Sequence, residues 1–237
     1  VIDVQVLVFD LKAPLAHFRR PDTTATHVTY PFITRTALRG LIGSILGMDE
    51  FHGEAWTGVQ LCSPVRTVSQ ELSLLGKKFL GGSGDTFNRP TAIELVVKPH
   101  YRIYYAGEHM SALSERIKNR RSHYHTYLGS AFALTVPEYV GLKNVEPLPL
   151  SDELGELRAI TVVPAHIIEQ LGVVAGVQYG RAGGIHYEHL GNRRFRGGMH
   201  FIYEVSGQAI HFTPKASPVQ PPVQLARLDN DEVVCLW

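Results

Sequence analysis

The sequence is poor in the features that most quickly assign a protein to a class. It holds two cysteines, Cys62 and Cys235, among 237 residues. They are far apart and in no metal-binding spacing, which argues against a disulfide framework and for a reducing compartment. No apolar run approaches the ~20 residues of a membrane-spanning helix, so a soluble protein with no membrane partner is expected. The opening residues 1–9 lack a basic flank and are interrupted by Asp3 and Gln5, so they read as a strand rather than a signal segment. No glycine set follows a strand and opens a helix at P-loop or dinucleotide spacing. His186, Glu188, His189 and His200 do not hold a familiar zinc spacing. Neither a metal nor a cofactor is expected.

A strong net charge is missing as well, since 23 Lys+Arg against 22 Asp+Glu leave +1. The charge is patterned instead. Between Lys12 and Arg39 stand five basic residues and one acidic residue, Asp22. Arg116, Lys118, Arg120 and Arg121 form a second group, and Arg193, Arg194 and Arg196 a third. Acid gathers in 151–156 and 229–232. Basic patches on a neutral body fit partners on more than one face.

The stretch from Thr23 to Gly47 is the most informative. A threonine-rich loop passes into an amphipathic helix with Thr34 as N-cap. Leu38, Leu41, Ile42, Ile45 and Leu46 follow the spacing of a buried helical face, and Gly47 suits the left-handed residue past its end. Arg35 and Arg39 share one face of the first turns, where cations oppose the helix dipole. Periodicity alone fits an ordinary surface helix with solvated arginines. The same residues, with the threonine hydroxyls and free N–H groups, also make a phosphate seat.

Along the chain, a strand over 4–8 leads through the loop 12–31 to this helix. A second strand spans 58–65, and a glycine-rich segment with Lys77, Lys78 and Arg89 fills 67–90. A strand over 92–105, broken at Pro99, precedes a helix over 108–119 and a strand over 132–139. This is the β-α-β-β-α-β order of a ferredoxin-like domain. From about Leu142 the chain reads as a linker, with an acidic stretch at 151–156. Alternating segments at 158–163, 184–188 and 200–205 then suggest a smaller β-rich part. A proline-rich tail over 214–222 is expected to be extended. The division expected is 1–145 and 146–237, in an α+β protein.

The runs Phe18-Arg19-Arg20-Pro21-Asp22-Thr23-Thr24 and Tyr30-Pro31-Phe32-Ile33-Thr34-Arg35-Thr36-Ala37-Leu38-Arg39-Gly40-Leu41-Ile42-Gly43-Ser44-Ile45-Leu46-Gly47 resemble the N-terminal signature of the CRISPR-associated Cas-five family of the RAMP superfamily. Tyr127-Leu128-Gly129-Ser130, followed by Pro137-Glu138-Tyr139-Val140-Gly141, resembles that family's Tyr-Leu-Gly segment. The flavour is closest to type I-B. The resemblance implies an N-terminal ferredoxin-like (RRM-like) RAMP domain with a thumb hairpin inserted at about 67–90. It implies a prokaryotic cytoplasmic protein in a type I Cascade surveillance complex, capping the 5′ handle of the CRISPR RNA (crRNA). The backbone and large subunits, and target DNA in the assembled complex, are then its partners.

On that reading Arg20, Arg35 and Arg39 face phosphates bidentately, as lysine cannot. Arg19, His27, Arg120, Arg121 and His123 add to the RNA surface, as do Lys77, Lys78 and Arg89 of the thumb. Thr23, Thr24, Thr34 and Thr36 offer polar contacts. Tyr30, and Phe79 or Phe87, offer faces for bases, although Phe79 fits a core position beneath the hairpin equally well. One branch of the family cleaves precursor RNA without metal. The segment from Arg120 to His125, with Tyr30 nearby, is the candidate for that chemistry. Positions 35–46 hold no tyrosine and no Lys-His pair precedes Tyr127, so a non-catalytic subunit is expected and an endoribonuclease is the alternative. A ferredoxin-like scaffold or small-ligand domain ranks third.

Overall fold

The computed structural model describes residues 5–51, 53–77, 86–151, 154–192, 194–216 and 220–237. It is an α+β protein built mostly of strands. The first half runs β1 (Gln5–Lys12), β2 (Leu15–Ala16), α1 (Arg35–Leu46), β3 (Ala55–Leu61), β4 (Thr67–Lys77), β5 (Thr86–Val97), β6 (His100–Gly107), α2 (Met110–Lys118) and β7 (Glu138–Leu148). In space the strands order β7-β1-β6-β3 and all pair antiparallel. β1 is buried on both faces, which is why Val6 to Phe9 form an unbroken apolar run rather than an alternation. Leu7, Phe9 and Leu11 pack toward the helices, while Val6 and Val8 join a second core with Tyr104 and Ala106.

Helix α1 forms as the periodicity predicts. The Thr34 hydroxyl accepts from Ala37 N, Gly47 takes φ 84°, and Leu38, Leu41, Ile42 and Ile45 are buried. The β4–β5 hairpin is inserted between β3 and β6, and β5 also pairs with β2. Its second arm reaches back to Thr86, earlier than the expected strand start at 92. The break expected at Pro99 is real: Lys98 turns at φ 47° and the chain changes sheets there.

Two expectations about the middle of the chain are corrected. Residues 132–137 do not belong to the strand that follows α2. They double back on 126–128 through a bridge between Tyr127 and Leu134, and β7 begins only at Glu138. The turn needs Gly129 at φ 83°, where an added Cβ would sit 2.1 Å from the His17 carbonyl oxygen. Nor is 142–148 a linker. β7 pairs with β1 through its first part and with β14 (Gln224–Leu228) through its second. The division expected near 145 therefore falls inside a strand that both halves share.

The second half adds β8 (Leu157–Ala159), β9 (Val163–Pro164), β10 (Ile168–Leu171), β11 (Tyr179–His189), β12 (Phe195–Glu204), β13 (Ile210–Pro214), β14 and β15 (Val233–Leu236). β15 lies inside the nine-stranded sheet β10-β13-β8-β15-β14-β7-β1-β6-β3. The sheet curls until its edge strand β3 meets the residue after β15. Thr57 N donates to Trp237 O at 3.1 Å, and Trp237 N donates to Thr57 O at 3.0 Å. Residues 233–237 are buried throughout.

One end of the β1–β6 face is ionic. Arg102 grips Asp10 with Nε at 2.8 Å and Nη2 at 3.1 Å, and His100 Nε2 lies 2.9 Å from Asp10 Oδ2. Burial raises the Asp10 pKa, but the Arg102 and His100 contacts outweigh it and hold the carboxyl below its ordinary value of 3.8. A depressed carboxylate stabilises the fold above about pH 4, and that contribution is lost as pH falls through the lowered value. Asp10→Asn is therefore expected to lower stability at neutral pH and to flatten the acid limb of a pH–stability profile below pH 4. Unchanged curvature would remove Asp10 from that limb.

Candidate nucleic-acid interface

The loop before α1 is laced to the inserted hairpin. Tyr30 N donates to Phe18 O at 2.8 Å and Arg20 N to Val28 O at 2.9 Å, so residues 18–30 fold back on themselves. His27 N donates to Ala92 O, Glu94 N to His27 O, and Thr29 N to a Glu94 carboxylate oxygen at 3.0 Å, tying that fold to β5. The lacing brings Arg19, His27 and Arg89 onto one face although 62 residues separate the last two in sequence. Burial lowers the His27 pKa first, and the charges of Arg19, His17 and Arg89 lower it further. The His17 and His27 rings lie 6.5 Å apart and near-parallel. At neutral pH His27 is therefore a hydrogen-bonding group rather than a fixed cation, while His17, whose pKa burial also lowers, is buried with Nδ1 2.8 Å from Glu94 O.

Arg20 is held by Asp22, with Nη2 at 2.7 Å and Nε at 3.2 Å, and its guanidinium lies 5.8 Å from the Tyr30 ring centroid. Thr23 is spent locally, donating to Arg20 O and accepting from Val28 N, while Thr24 is exposed. Tyr30 is a correction: it is buried, with its hydroxyl donating to Gly184 O at 2.9 Å on β11. It is a core side chain and not a face for a base. Arg89 is exposed on β5. Lys78 and Phe79 lie outside the described residues, as do the side chains of Lys77 and Phe87.

The start of α1 is the second correction. Arg35 is not on a solvated face. It is buried, with Nε donating to Tyr187 O at 3.2 Å and Nη1 to Ala55 O at 3.2 Å and to Trp237 O. Its guanidinium stacks over Tyr187 at 4.7 Å, and burial pulls its pKa down to about 10. A cation can be buried here because three carbonyls converge on it where the sheet closes. Arg39 is half-buried. Nη2 donates to Gly53 O at 3.1 Å and Phe51 O at 3.5 Å, and the group lies 4.7 Å from the Phe51 ring. Both arginines line the floor of a groove of about 1070 Å³ between α1, residues 48–51 and 53–56, and strands β11 and β12. Thr36 lines it too, while Thr34 is committed to the cap. Arg196 on the groove wall is paired with Glu188, and Asp49, Glu50 and Glu54 also line the groove, so its charge is mixed.

Arg120 and Arg121 close the end of α2, with their N–H groups on Ile117 O and Arg116 O, and His123 sits at the other end of α1. His123 N donates to Ile45 O, and its ring packs over Gly47. The candidate nuclease pieces therefore part company: Tyr30 is tied to β11, and His123 stands at the helix C-terminus. Among the described residues no cluster of His, Cys, Asp or Glu is arranged to hold a metal ion. Sequence reasoning missed His17 and Glu94, which order the basic face. Their role depends on the register between the loop and β5, for which the sequence carries no local signal.

Comparison with known proteins completes the picture. The family model described as CRISPR-associated protein (Cas_Cas5) matches residues 6–72. No curated protein matches the sequence. A crystal structure of a CRISPR protein from Archaeoglobus fulgidus is similar at 9% identity, covering 98% of each chain with a TM-score of 0.55. A chain of a CRISPR RNA-guided surveillance complex is similar at 12% identity, covering 91% of this chain and 95% of that one with a TM-score of 0.53. At such identities these likenesses speak to the fold alone, and the fold runs through almost the whole length. No helix among the described residues is long and apolar enough to cross a membrane. Residues 6–72 thus match the model of the CRISPR-associated Cas5 family, within a fold like that of solved CRISPR proteins over almost the whole length.

Proposed function

We propose that the chain is a non-catalytic crRNA-binding subunit of a type I CRISPR surveillance complex, of type I-B flavour, holding the 5′ handle of the RNA. The chain up to β7 then forms the ferredoxin-like RAMP unit, with β4–β5 as its thumb, and the strands after β7 form the smaller β-rich part joined to it through β7. The observation that carries this reading is the basic face made where the loop before α1 is tied to the inserted hairpin, with the charges of Arg19 and Arg89 acting on His27 and Arg20 next to Arg19 in the chain, paired with Asp22. Single-stranded RNA is held by cations on its phosphates and by groups that meet splayed bases and 2′-hydroxyls. The arginines supply the cations, and His27, kept neutral beside Arg19 and Arg89, supplies a hydrogen-bonding group. The reading puts the backbone and large subunits, and target DNA in the assembled complex, around this chain.

The test is the salt dependence of RNA binding. Each phosphate contact removed lowers the slope of log affinity against log salt by about 0.7 for a single strand. Arg20→Ala with Arg89→Ala is expected to weaken binding of a repeat-derived RNA by about tenfold or more and to lower the slope by roughly 1.4. An unchanged slope would remove this face from the interface.

A further inference from the structure

Strands β11 and β12 carry three rings in contact. His186 and Phe195 lie parallel, with centroids 4.5 Å apart and planes 8° from each other, and His189 leans on Phe195 at 5.2 Å. The register explains how the parallel pair forms. His186 stands opposite Gly198 and Phe195 opposite His189, so the His186–Phe195 contact runs diagonally across the two strands. Gly198 puts no side chain in its way. Gly197, at φ 67°, takes the left-handed conformation that glycine tolerates and so breaks the alternation of faces along β12. A Cβ built on Gly198 would meet nothing within 4 Å, so the space over the partner of His186 is open.

The rings are not core side chains. Phe195 is 42% exposed, His189 is exposed and His186 is half-buried. Phe195 and His189 also line the groove floored by Arg35 and Arg39, so open volume lies against them. The stack is joined to the basic face through β11. Gly184, two residues before His186, accepts the Tyr30 hydroxyl at 2.9 Å, and the Tyr30 ring lies 5.8 Å from the Arg20 guanidinium. Two residues of strand span roughly 7 Å. A strand of RNA whose phosphate meets Arg20 therefore needs only a short path to bring a base to these rings.

We propose that the His186–Phe195 stack is a nucleobase subsite, where one base of the bound single-stranded RNA continues the column of parallel rings. Unpaired bases stack on phenylalanine and histidine side chains, and aromatic pairs prefer offset, parallel contacts of the kind already present here. Two of the three rings carry polar nitrogens, which makes the trio a poor apolar anchor for a protein but lets it meet both the face and the edge of a base. The proposal rests on the RNA-binding reading and adds to it a contact made by stacking rather than by charge.

That difference supplies the test. Removing a phosphate contact lowers the salt slope of binding, whereas removing a stacking ring weakens binding and leaves the slope alone. Labelled CRISPR repeat RNA is titrated at several salt concentrations with the full chain and with the co-expressed complex that contains it. Phe195→Ala and His186→Ala are each expected to weaken binding by about tenfold, with the salt slope and the thermal midpoint unchanged. Phe195→Trp is expected to retain the affinity, and Phe195→Leu, which keeps apolar bulk without a ring, is expected to lose it. Repeat RNAs carrying 2-aminopurine at successive positions should show one position quenched on binding to wild type and released in Phe195→Ala. Wild-type affinity in both alanine variants, or in Phe195→Leu, overturns the proposal and leaves the RNA-binding role of the basic face standing. A fall in slope matching the loss of affinity overturns it as well, by making the effect one of charge. Loss of a protein subunit from the complex with RNA binding retained assigns the rings to a protein and also overturns it. Absence of RNA binding by both the wild-type chain and its complex sinks this proposal together with the RNA-binding reading.

Discussion

Arg35→Ala is expected to lower the stability of the folded chain by about 3 kcal/mol, a drop of roughly 6–12 °C in the unfolding midpoint for a protein of this size. The reason is geometric. The guanidinium joins α1 to three carbonyls, Ala55 on β3, Tyr187 on β11 and Trp237 beyond β15. Removing it strips a charged donor from buried acceptors and leaves a void against Tyr187. Arg35→Lys is expected to recover little, because one ammonium cannot reproduce the fork that spans these acceptors. Thermal and urea unfolding of both variants would check this. A midpoint within 2 °C of wild type for Arg35→Ala would show that the clasp is not needed.

Trp237→Ala is expected to cost at least as much, about 3–5 kcal/mol, the usual range for a large aromatic removed from a core. The ring is fully buried and packs against Phe201 with centroids 4.6 Å apart, joining the closed sheet to β12. Its backbone makes the reciprocal pair with Thr57 that closes the curl. The variant is expected to expose apolar surface and to unfold at markedly lower urea concentration, whereas Trp237→Phe should retain much of the lost stability. Equal losses in both would mean that the ring packing carries little of the effect.

Most of the first half was legible because its signals are local. The Thr34 cap, the apolar stripe from Leu38 to Ile45 and the left-handed Gly47 are each read within a few residues. The fate of Arg35 was not, since its acceptors lie 20, 152 and 202 residues away in sequence. A helix pattern states which face is apolar but cannot state that carbonyls from three distant segments will roof the polar one. Tyr30 was misjudged for the same reason, because Gly184 is supplied by a distant hairpin. The alternation in 132–136 read as an ordinary strand, and only the hydrogen bonds that fold it back on 126–128 reveal that its apolar side faces outward. β15 was overlooked although its signal was present. Asp229, Asn230 and Asp231 make a turn, and the apolar run that follows is short enough for a buried strand.

The basic face was half legible. Arg19, Arg20 and Arg89 were named from charge and resemblance, and the structure adds the lacing through His27, Ala92 and Glu94 that ties the loop carrying Arg19 and Arg20 to the strand carrying Arg89. The measurement that tests its role most directly is a titration of the full chain with labelled CRISPR repeat RNA in EDTA, at several salt concentrations, followed by a gel of the bound RNA. The account predicts intact bound RNA and a salt slope that falls by roughly 1.4 in the Arg20→Ala, Arg89→Ala variant. Cleavage at a single position, abolished by His123→Ala, would contradict it, as would the absence of RNA binding by both the chain and the co-expressed complex that contains it.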